Sequence, residues 1–508
     1  MNAAKDLRDL IARGAPESPA IGAPGQAPLS FQGLRQLAQQ TGATLNAAGI
    51  GRGDRVAIVL PNGPEAATAF LTVACYAVTA PLNPAYRAED FAFYLSDLKA
   101  RALIVLRGAE TPALAFATEQ KIPILELVPD PSSAGAFTLV PPLGMTGTPS
   151  RGGPGGADDV ALVLHTSGTT ARPKIVPLTH ANLAASAIHI GRTLQLAPSD
   201  VCLNIMPLFH IHGLIAAVLS SIAAGGSVIC TPGLSGFRFF TWLKDVRPTW
   251  YTAVPTMHQA LLDLAPRFKA VIAAGRLRFI RSSSASLPPA AMTALEEAFG
   301  VPVIEAYGMT EAAHQMASSP LPPARRFAGS VGIAAGPEIA IMDADGALLP
   351  TGATGEVVIR GPNVTLGYEN NPAANASSFQ HGWFRTGDEG VLDADGYLRL
   401  TGRLKEIINR AGEKISPIEV DNVLMDHPSV RQAITFAMPS RTFGEDVAAA
   451  VVLHEGAQGD AEILRAFAAS RLAAFKVPRK IVFLEEIPKG PTGKPQRIGL
   501  AERLGVKD

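Results

Sequence analysis

Residues 166–174 carry the densest set of groups that could hold an anion, in the order Thr-Ser-Gly-Thr-Thr-Ala-Arg-Pro-Lys. An apolar run at 160–164 leads into them and has the composition of a buried strand. The small residues let a turn expose backbone N–H groups, the hydroxyls add donors, and Arg172 and Lys174 add positive charge. This pattern predicts a cradle for phosphate oxygens, although it differs from the loop of the common NTPases. Taken alone, it also fits a polar surface loop.

A second segment, Tyr307-Gly-Met-Thr-Glu311, places an aromatic face, a hydroxyl and a carboxylate close together. An adenine base could stack on Tyr307. Glu311 could hold Mg²⁺, a hard cation that prefers oxygen ligands and bridges phosphates. The alternative for this segment is a turn with a solvated glutamate.

Three further segments place charged groups on or beside turns. Asp388, in Arg-Thr-Gly-Asp, could accept ribose hydroxyls through its carboxylate. The alternative is an ordinary aspartate in a turn. Arg403, in Gly-Arg-Leu-Lys-Glu, lies where the composition changes and fits a hinge that reaches a nucleotide, or a charged linker. Lys494, in a Gly/Pro loop, offers an ammonium to developing negative charge, or belongs to a basic surface loop.

The composition limits what these groups can serve. The chain has 508 residues, enough for more than one domain, and its 47% hydrophobic content predicts a large core. Its 44 basic and 44 acidic residues balance, so neither nucleic acid nor an anionic membrane is an expected partner. Three cysteines without metal-ligand or disulfide spacing, a charged N-terminus and no apolar stretch long enough for a bilayer predict a cytoplasmic protein. The sequence leaves open whether it is a monomer or a dimer.

The elements that must position these groups alternate between strands and helices up to about residue 330. Short, continuously apolar strands between helical segments predict an α/β fold, with parallel sheets covered by helices. Because ligands of such sheets bind at the carboxyl ends of strands, the polar strand ends at 166–174, 282–286 and 307–311 should converge. The stretch 129–159, rich in Pro, Gly and Ser, predicts a long loop and a subdomain boundary.

Beyond about residue 329 the pattern changes to antiparallel strands, at 355–361 and 396–402, with Asp-Gly turns. Helical patterns near 417–425 and 460–472 predict a small α+β domain at the end. We therefore expect a large N-terminal domain of helix-covered sheets with a β-rich subdomain at 1–402, and a small mobile α+β domain at 403–508.

In this order and spacing, the five polar segments resemble the acyl-adenylate-forming superfamily of acyl-CoA synthetases, coumarate ligases, luciferases and adenylation domains. The resemblance covers nearly the whole chain. It implies an ATP-dependent acid–thiol ligase in which a carboxylate attacks the α-phosphate of MgATP, giving an acyl-adenylate and diphosphate. The thiol of coenzyme A then displaces AMP. It also implies that the large domain is the AMP-binding domain and that the small domain swings about a hinge near Lys405.

The same resemblance assigns residues to parts of the reaction. It implies that the β and γ phosphates are bound by Thr166, Ser167, Gly168, Thr169, Thr170 and Lys174. It implies that adenine is bound by Glu305, Ala306 and Tyr307, the α-phosphate and Mg²⁺ by Thr310 and Glu311, and the ribose by Asp388 and Arg403. Lys494 would bridge the substrate carboxylate and the α-phosphate, and the residues on the coenzyme A side would be Ala411, Gly412 and Lys414.

The phosphate segment departs from the superfamily at Ala171 and Ile175, where glycine is usual. Alanine at a position that needs positive φ would be strained, so the phosphate contacts at these two positions are not carried over.

Segments 209–213, 281–287 and 305–314 are in addition similar to the oxalate–CoA ligases. His210, Ser284 and His314 would then contact the acid. Two imidazoles and a hydroxyl suit a short, polar acid such as oxalate, whose second carboxylate must be paired when enclosed. Each of these two histidines could instead be structural. The histidines assigned structural roles by default are His165, His180, His212 and His258.

Other functions stay open at this point. The acid could be malonate, another short acid or an aromatic, coumarate-like acid, and an oxygen-using luciferase shares the same adenylation motifs. A non-catalytic nucleotide-binding relative is a further alternative, against which Glu311, Asp388, Arg403 and Lys494 argue. A peptide-synthetase module is not expected, because no carrier domain follows Asp508.

The role of Lys494 can be tested by separating the two steps of the reaction. We expect Lys494→Ala to abolish adenylation, because the charge that stabilises the attack on the α-phosphate is lost. Thiolation of a supplied acyl-adenylate should remain largely intact, since the lysine is withdrawn in that step. Diphosphate release and thioester formation from the adenylate measure the two steps, and equal loss of both would remove the assigned role.

Overall fold

The computed structural model of this chain describes residues 4–166, 173–488 and 496–507. Within these ranges the strands, in chain order, are β1 (Pro19–Gly22), β2 (Leu29–Ser30), β3 (Arg55–Val59), β4 (Val78–Pro81), β5 (Ala102–Leu106), β6 (Ile124–Pro129), β7 (Phe137–Val140), β8 (Val160–Thr166), β9 (Lys174–Thr179), β10 (Val201–Asn204), β11 (Ser227–Cys230), β12 (Trp250–Ala253), β13 (Phe279–Ser283), β14 (Val303–Met309), β15 (His314–Ser318), β16 (Ile333–Ala334), β17 (Glu338–Met342), β18 (Thr354–Arg360), β19 (Phe379–Gln380), β20 (Trp383–Leu392), β21 (Leu398–Arg403), β22 (Ile408–Arg410), β23 (Glu413–Ile415), β24 (Val430–Ser440), β25 (Gly444–Leu453) and β26 (Lys480–Phe483).

The α-helices of the same ranges are α1 (Leu7–Ile11), α2 (Phe31–Ala47), α3 (Pro64–Ala74), α4 (Ala88–Asp97), α5 (Pro112–Glu119), α6 (His180–Thr193), α7 (Ser220–Ala223), α8 (Gly236–Val246), α9 (Pro255–Leu264), α10 (Lys269–Ala273), α11 (Pro289–Phe299), α12 (Pro372–Ser378), α13 (Pro417–Met425), α14 (Ala461–Ala469) and α15 (Leu500–Arg503). A π-helix spans His212–Leu219, and short 3₁₀ turns lie at Ala265–Arg267, Thr310–Ala312 and Ala474–Lys476.

Two large sheets form the main body. One has seven strands in the order β7-β6-β5-β3-β4-β8-β9, parallel from β6 to β8 with an antiparallel strand at each edge. The other has nine strands in the order β16-β15-β14-β13-β12-β10-β11-β1-β2, parallel from β14 to β1. Their continuously buried strands explain the apolar runs of the sequence, and the predicted α/β class is confirmed.

Helices fill three layers around these two sheets. Between the sheets lie α2, α3, α6 and the π-helix, which share one core with both. Because α3 is apolar on every side, it is buried almost completely there. The outer face of the seven-stranded sheet is covered by α4 and α5, and that of the nine-stranded sheet by α8, α9 and α11. The result is an α-β-α-β-α arrangement.

Two smaller sheets follow in the chain. β17 to β21 form an antiparallel sheet, which confirms the change of pattern expected after residue 329. β22 to β26 form the sheet of the small C-terminal domain, with α13 and α14 on one face and α15 on the other. Pro at the first position and the Ser416 cap start α13 at the predicted residue.

One detail differs from the sequence-based expectations. The stretch 129–159 is not a structureless loop throughout, because β7 within it pairs with β6 along the sheet edge. The apolar stretch 214–230, too short for a bilayer in the sequence, divides into the end of the π-helix, α7 and β11, all in the protein core. Among the described residues, no helix is both long and apolar enough to cross a membrane.

Candidate active site

The phosphate segment lies at the tip of a hairpin at the edge of the seven-stranded sheet. β8 and β9 pair in antiparallel register, with Thr166 opposite Lys174 as the last pair. Ile175, one of the two departures from glycine, is buried in β9 opposite His165 and has a negative φ, so it is not strained. The predicted phosphate ligands between the two strands lie outside the described residues, as does Ala171: Ser167, Gly168, Thr169 and Thr170.

Lys174 meets the buried carboxylate of Glu311 around Tyr368. Its Nζ lies 4.3 Å from the centroid of the Tyr368 ring, and the Tyr368 hydroxyl donates to Oε1 of Glu311 at 2.8 Å. Burial raises the pKa of Glu311, while the Tyr368 hydrogen bond and the charges of Arg403 and Lys174 oppose the rise. Burial lowers the pKa of Lys174, which Glu311 opposes and Lys405 reinforces. Three cations and one carboxylate thus share one region, which suits a polyphosphate with a metal ion.

Tyr307, Asp388 and Arg403 form the second polar group and connect two sheets. The Tyr307 hydroxyl donates to Oδ2 of Asp388 at 2.5 Å, and Nε of Arg403 lies 3.2 Å from Oδ1. Tyr307 comes from β14 of the nine-stranded sheet, whereas Asp388 and Arg403 face each other on β20 and β21. Burial, followed by the Asp388 charge, raises the pKa of Tyr307, so this hydroxyl stays protonated.

Three more predicted nucleotide residues lie along the same segment. Oε1 of Glu305 accepts the N–H of Leu287 at 2.9 Å, and among the described residues Oε2 has no hydrogen-bond partner. Burial raises the pKa of Glu305 to about 7. The carbonyl of Ala306 accepts the Ser283 hydroxyl at 2.8 Å. Thr310 begins the 3₁₀ turn that presents Glu311.

The predicted acid site forms around Ser284 and His314, with His212 between them. Oγ of Ser284 lies 2.9 Å from Nδ1 of His212, and the rings of His212 and His314 are 5.0 Å apart between centroids. Ser284, Ala313 and His314 all have positive φ, a strained conformation for residues with side chains. Such strain persists only where the surrounding structure enforces it.

Two backbone features hold this arrangement. His212 begins the π-helix, and such wide turns occur frequently at functional sites. Gly308 lies beside His314, where a Cβ would come within 2.0 Å of the His314 carbonyl oxygen. Glycine at this position therefore permits the close approach that places His314.

The prediction of structural roles for four histidines missed the position of His212, which lies inside the cluster. The other three contact residues away from it: His165 with Asp97, His180 with Leu7 and His258 with Tyr251. His210 does not lie at a strand end, because β10 ends at Asn204; it precedes the π-helix, with its ring 4.5 Å from that of Phe209.

The sequence analysis did not identify two further residues of the site, Tyr368 and Arg281. Tyr368 belongs to no motif in the sequence. Arg281 is a charged residue within the buried strand Phe279–Ser283, and a charge in such a strand could have indicated a functional residue. Its side chain is completely buried, with Nη1 3.5 Å from Nε2 of His314.

The predicted coenzyme A residues form an exposed hairpin tip in the C-terminal domain. Ala411 and Gly412 both have positive φ between β22 and β23, and Lys414 pairs with Asn409. Lys405 follows Arg403 in a turn. Lys494 lies outside the described residues.

Comparison with known proteins agrees with this architecture. A family model described as AMP-binding enzyme matches residues 10–369, and one described as AMP-binding enzyme C-terminal domain matches residues 419–494. The chain therefore belongs to the AMP-binding enzyme family.

Named relatives lie within this family. The chain is 47% identical to a probable CoA ligase of Humulus lupulus, CCL9, over 94% of this chain and 92% of that protein. It is 44% identical to an oxalate–CoA ligase of Arabidopsis thaliana over 98% of both chains. Among solved structures, ATP-bound MatB from Rhodopseudomonas palustris superposes with a TM-score of 0.86 at 30% identity, over 98% of this chain and 99% of that one.

The buried Glu305 predicts a pH-dependent contribution to stability. Because burial raises its pKa from the ordinary 4.5 to about 7, the folded state holds the proton more tightly than the unfolded state. This contribution is fully present below about pH 4.5 and is lost as the pH rises through about 7. Glu305→Gln keeps an acceptor for Leu287 and removes the ionisation. Relative to wild type, the variant should gain about 2–3 kcal/mol of unfolding free energy between pH 5 and pH 8.

Tryptophan fluorescence during urea unfolding measures this difference, because Trp242, Trp250 and Trp383 all lie in the large domain. Glu119→Gln, at an exposed position, is the matched control and should show no pH-dependent difference from wild type. A Glu305→Gln difference that stays constant from pH 5 to pH 8 would contradict the raised pKa.

Proposed function

We propose that this chain is an ATP-dependent acid–CoA ligase that acts on oxalate, converting oxalate, ATP and CoA into oxalyl-CoA, AMP and diphosphate. The observation that carries the proposal is the adjacency of the two polar groups. Met309, next to the proposed nucleotide residues, pairs directly with His314 of the acid cluster. The first step needs this adjacency, because a substrate carboxylate must reach the α-phosphate. The oxalate–CoA ligase of Arabidopsis thaliana, at 44% identity, supports the choice of acid.

In the first step, one carboxylate oxygen of oxalate attacks the α-phosphorus, and the diphosphate leaves with the electron pair of the broken P–O bond. Lys174 and Arg403 would compensate the charge on the departing phosphates and the nucleotide. Asp388 would accept ribose hydroxyls, and the hydrogen bond from the Tyr307 hydroxyl orients that carboxylate. Lys494 would bridge the attacking carboxylate and the α-phosphate.

Glu311 fits a magnesium ligand. Its carboxylate is buried, offers oxygen ligands and is oriented by the Tyr368 hydroxyl. Mg²⁺ is commonly coordinated by one or two carboxylates together with phosphate oxygens. The ion would supply neutralisation of phosphate charge when bound. Thr310, which begins the same turn, would contact the α-phosphate.

In the second step, the thiolate of CoA attacks the carbonyl carbon and AMP leaves. We infer that residues 403–508 move about Lys405 between the steps and bring Ala411, Gly412 and Lys414 to the thiol channel. Two contacts near the hinge support a defined pivot rather than a loose linker. Arg497 lies 3.3 Å from Oε2 of Glu406, and the Ser416 hydroxyl donates to the carbonyl of Thr401.

The acid preference follows from the chemistry of the enclosed cluster. An aromatic or fatty acid would place apolar surface against the half-buried Ser284 and the buried imidazoles of His212 and His314, which costs free energy. A short dicarboxylate provides acceptors for them instead. Malonate shares this chemistry with oxalate but is one methylene longer.

The proposal predicts a ranking of acids. With ATP, Mg²⁺ and CoA, oxalate should give a kcat/KM roughly 100-fold or more above acetate and coumarate, because only oxalate offers a second carboxylate to the cluster. Diphosphate release and CoA thioester formation measure the two steps.

Each of the other outcomes contradicts a different part of the proposed function. Preference for malonate or coumarate would leave an acid–CoA ligase with another substrate. Diphosphate release without thioester would exclude CoA ligation, and no activity with any acid would favour a non-catalytic nucleotide-binding relative.

A further inference from the structure

Arg281 is a completely buried arginine in β13, an inner strand of the nine-stranded sheet. Burying a guanidinium is costly unless a carboxylate compensates its charge. Across residues 4–166, 173–488 and 496–507, no carboxylate forms an ion pair with it. Burial accordingly lowers the pKa of Arg281 to about 9. The presence of this charge in the folded protein therefore needs a functional explanation.

The protein contacts of Arg281 are neutral and incomplete. Nη2 donates to Oε1 of Gln315 at 3.2 Å, and Nε has no hydrogen-bond partner among the described residues. Nη1 lies 3.5 Å from each of three atoms, Oγ1 of Thr252 and the Nε2 atoms of His212 and His314. These distances are at the limit for hydrogen bonds, so the positive charge remains largely unmatched.

This charge lies directly behind the proposed acid cluster. Oγ1 of Thr252 lies 2.6 Å from Nε2 of His212, whose Nδ1 lies 2.9 Å from Oγ of Ser284. A hydroxyl donating to Nε2 makes Nδ1–H the donor toward Ser284. Arg281 therefore adjoins both imidazoles, of which His314 lies on backbone with positive φ and His212 begins the π-helix.

We propose that Arg281 is the charge that selects a dicarboxylate: through His212 and His314 it compensates the second, non-reacting carboxylate of oxalate. This inference rests on the proposed function. Arg281 is a positioning residue because it acts through the two imidazoles it adjoins, whereas Ser284 and His314 make the contacts with the acid. In a poorly solvated interior a full charge acts over several ångströms, so direct contact is not needed. The substrate then supplies the carboxylate that the protein lacks.

The test compares oxalate with oxamate, which has the same shape but a neutral amide in place of the second carboxylate. Arg281→Met removes the charge and keeps most of the volume. It should lower kcat/KM for oxalate about 10- to 100-fold, mainly through KM, and change oxamate by less than about 3-fold. Arg281→Lys keeps the charge and should recover most of the oxalate preference. The KM for ATP should not change.

Stability provides the second measurement. Arg281→Met removes the cost of burying an unmatched charge, so its melting temperature should be equal to or above that of wild type. Arg107→Met, at an exposed arginine paired with Glu126, is the matched control and should leave both acids unaffected. If Arg281→Met fails to fold, wild type and Arg281→Lys still test the inference. Both must have a kcat/KM for oxalate at least about 10-fold above that for oxamate.

Two results distinguish a failure of the proposed function from a failure of the inference about Arg281. A wild-type enzyme that activates another acid but not oxalate overturns the proposed function, and with it this inference. A wild-type enzyme that prefers oxalate, but loses oxalate and oxamate activity equally in Arg281→Met, keeps the function and overturns the role of Arg281. So would a lowered melting temperature with unchanged discrimination, which indicates a structural role.

Discussion

The unmatched positive charge of Arg281 inside the nine-stranded sheet is the constraint on which the proposed acid end of the site depends. Strand β13 is otherwise apolar or small, and both of its faces are covered by helices. Water cannot solvate the guanidinium there, so the neighbouring side chains must be polar and closely held. Thr252, His212, His314 and Gln315 meet that requirement. The fold thereby maintains a polar cluster with a net charge at the end of a parallel strand, where α/β sheets bind ligands.

The proposed nucleotide end depends on a different arrangement, in which side chains from separate sheets meet. Tyr307 belongs to the nine-stranded sheet, Asp388 and Arg403 to the antiparallel one, and Lys174 to the edge of the seven-stranded one. Three sheets thus contribute to one group of charges. Their relative placement is set by the shared core, in which α3 and α6 lie between the two large sheets. Such a site is preorganised, since the charges need not move together when ATP binds.

Much of this could be predicted from the sequence because the signals were local. Apolar runs between turn residues gave the parallel strands, and a Ser-Pro start placed α13 correctly. Motif order led to the family. The sequence could not show which side chains meet across elements far apart in the chain. Tyr368 approaches Glu311 from 57 positions away, and His212 approaches Ser284 from 72. β7 was missed because an edge strand of four residues in a Pro/Gly-rich stretch has too little periodicity.

A crystal structure with oxalate and a non-hydrolysable ATP analogue tests the central claim most directly. The account predicts that one carboxylate of oxalate faces the α-phosphate. The other should lie within hydrogen-bonding distance of Ser284 and His314, on the side of the cluster that adjoins Arg281. Oxalate bound away from this cluster, or with neither carboxylate near Ser284 and His314, would contradict it.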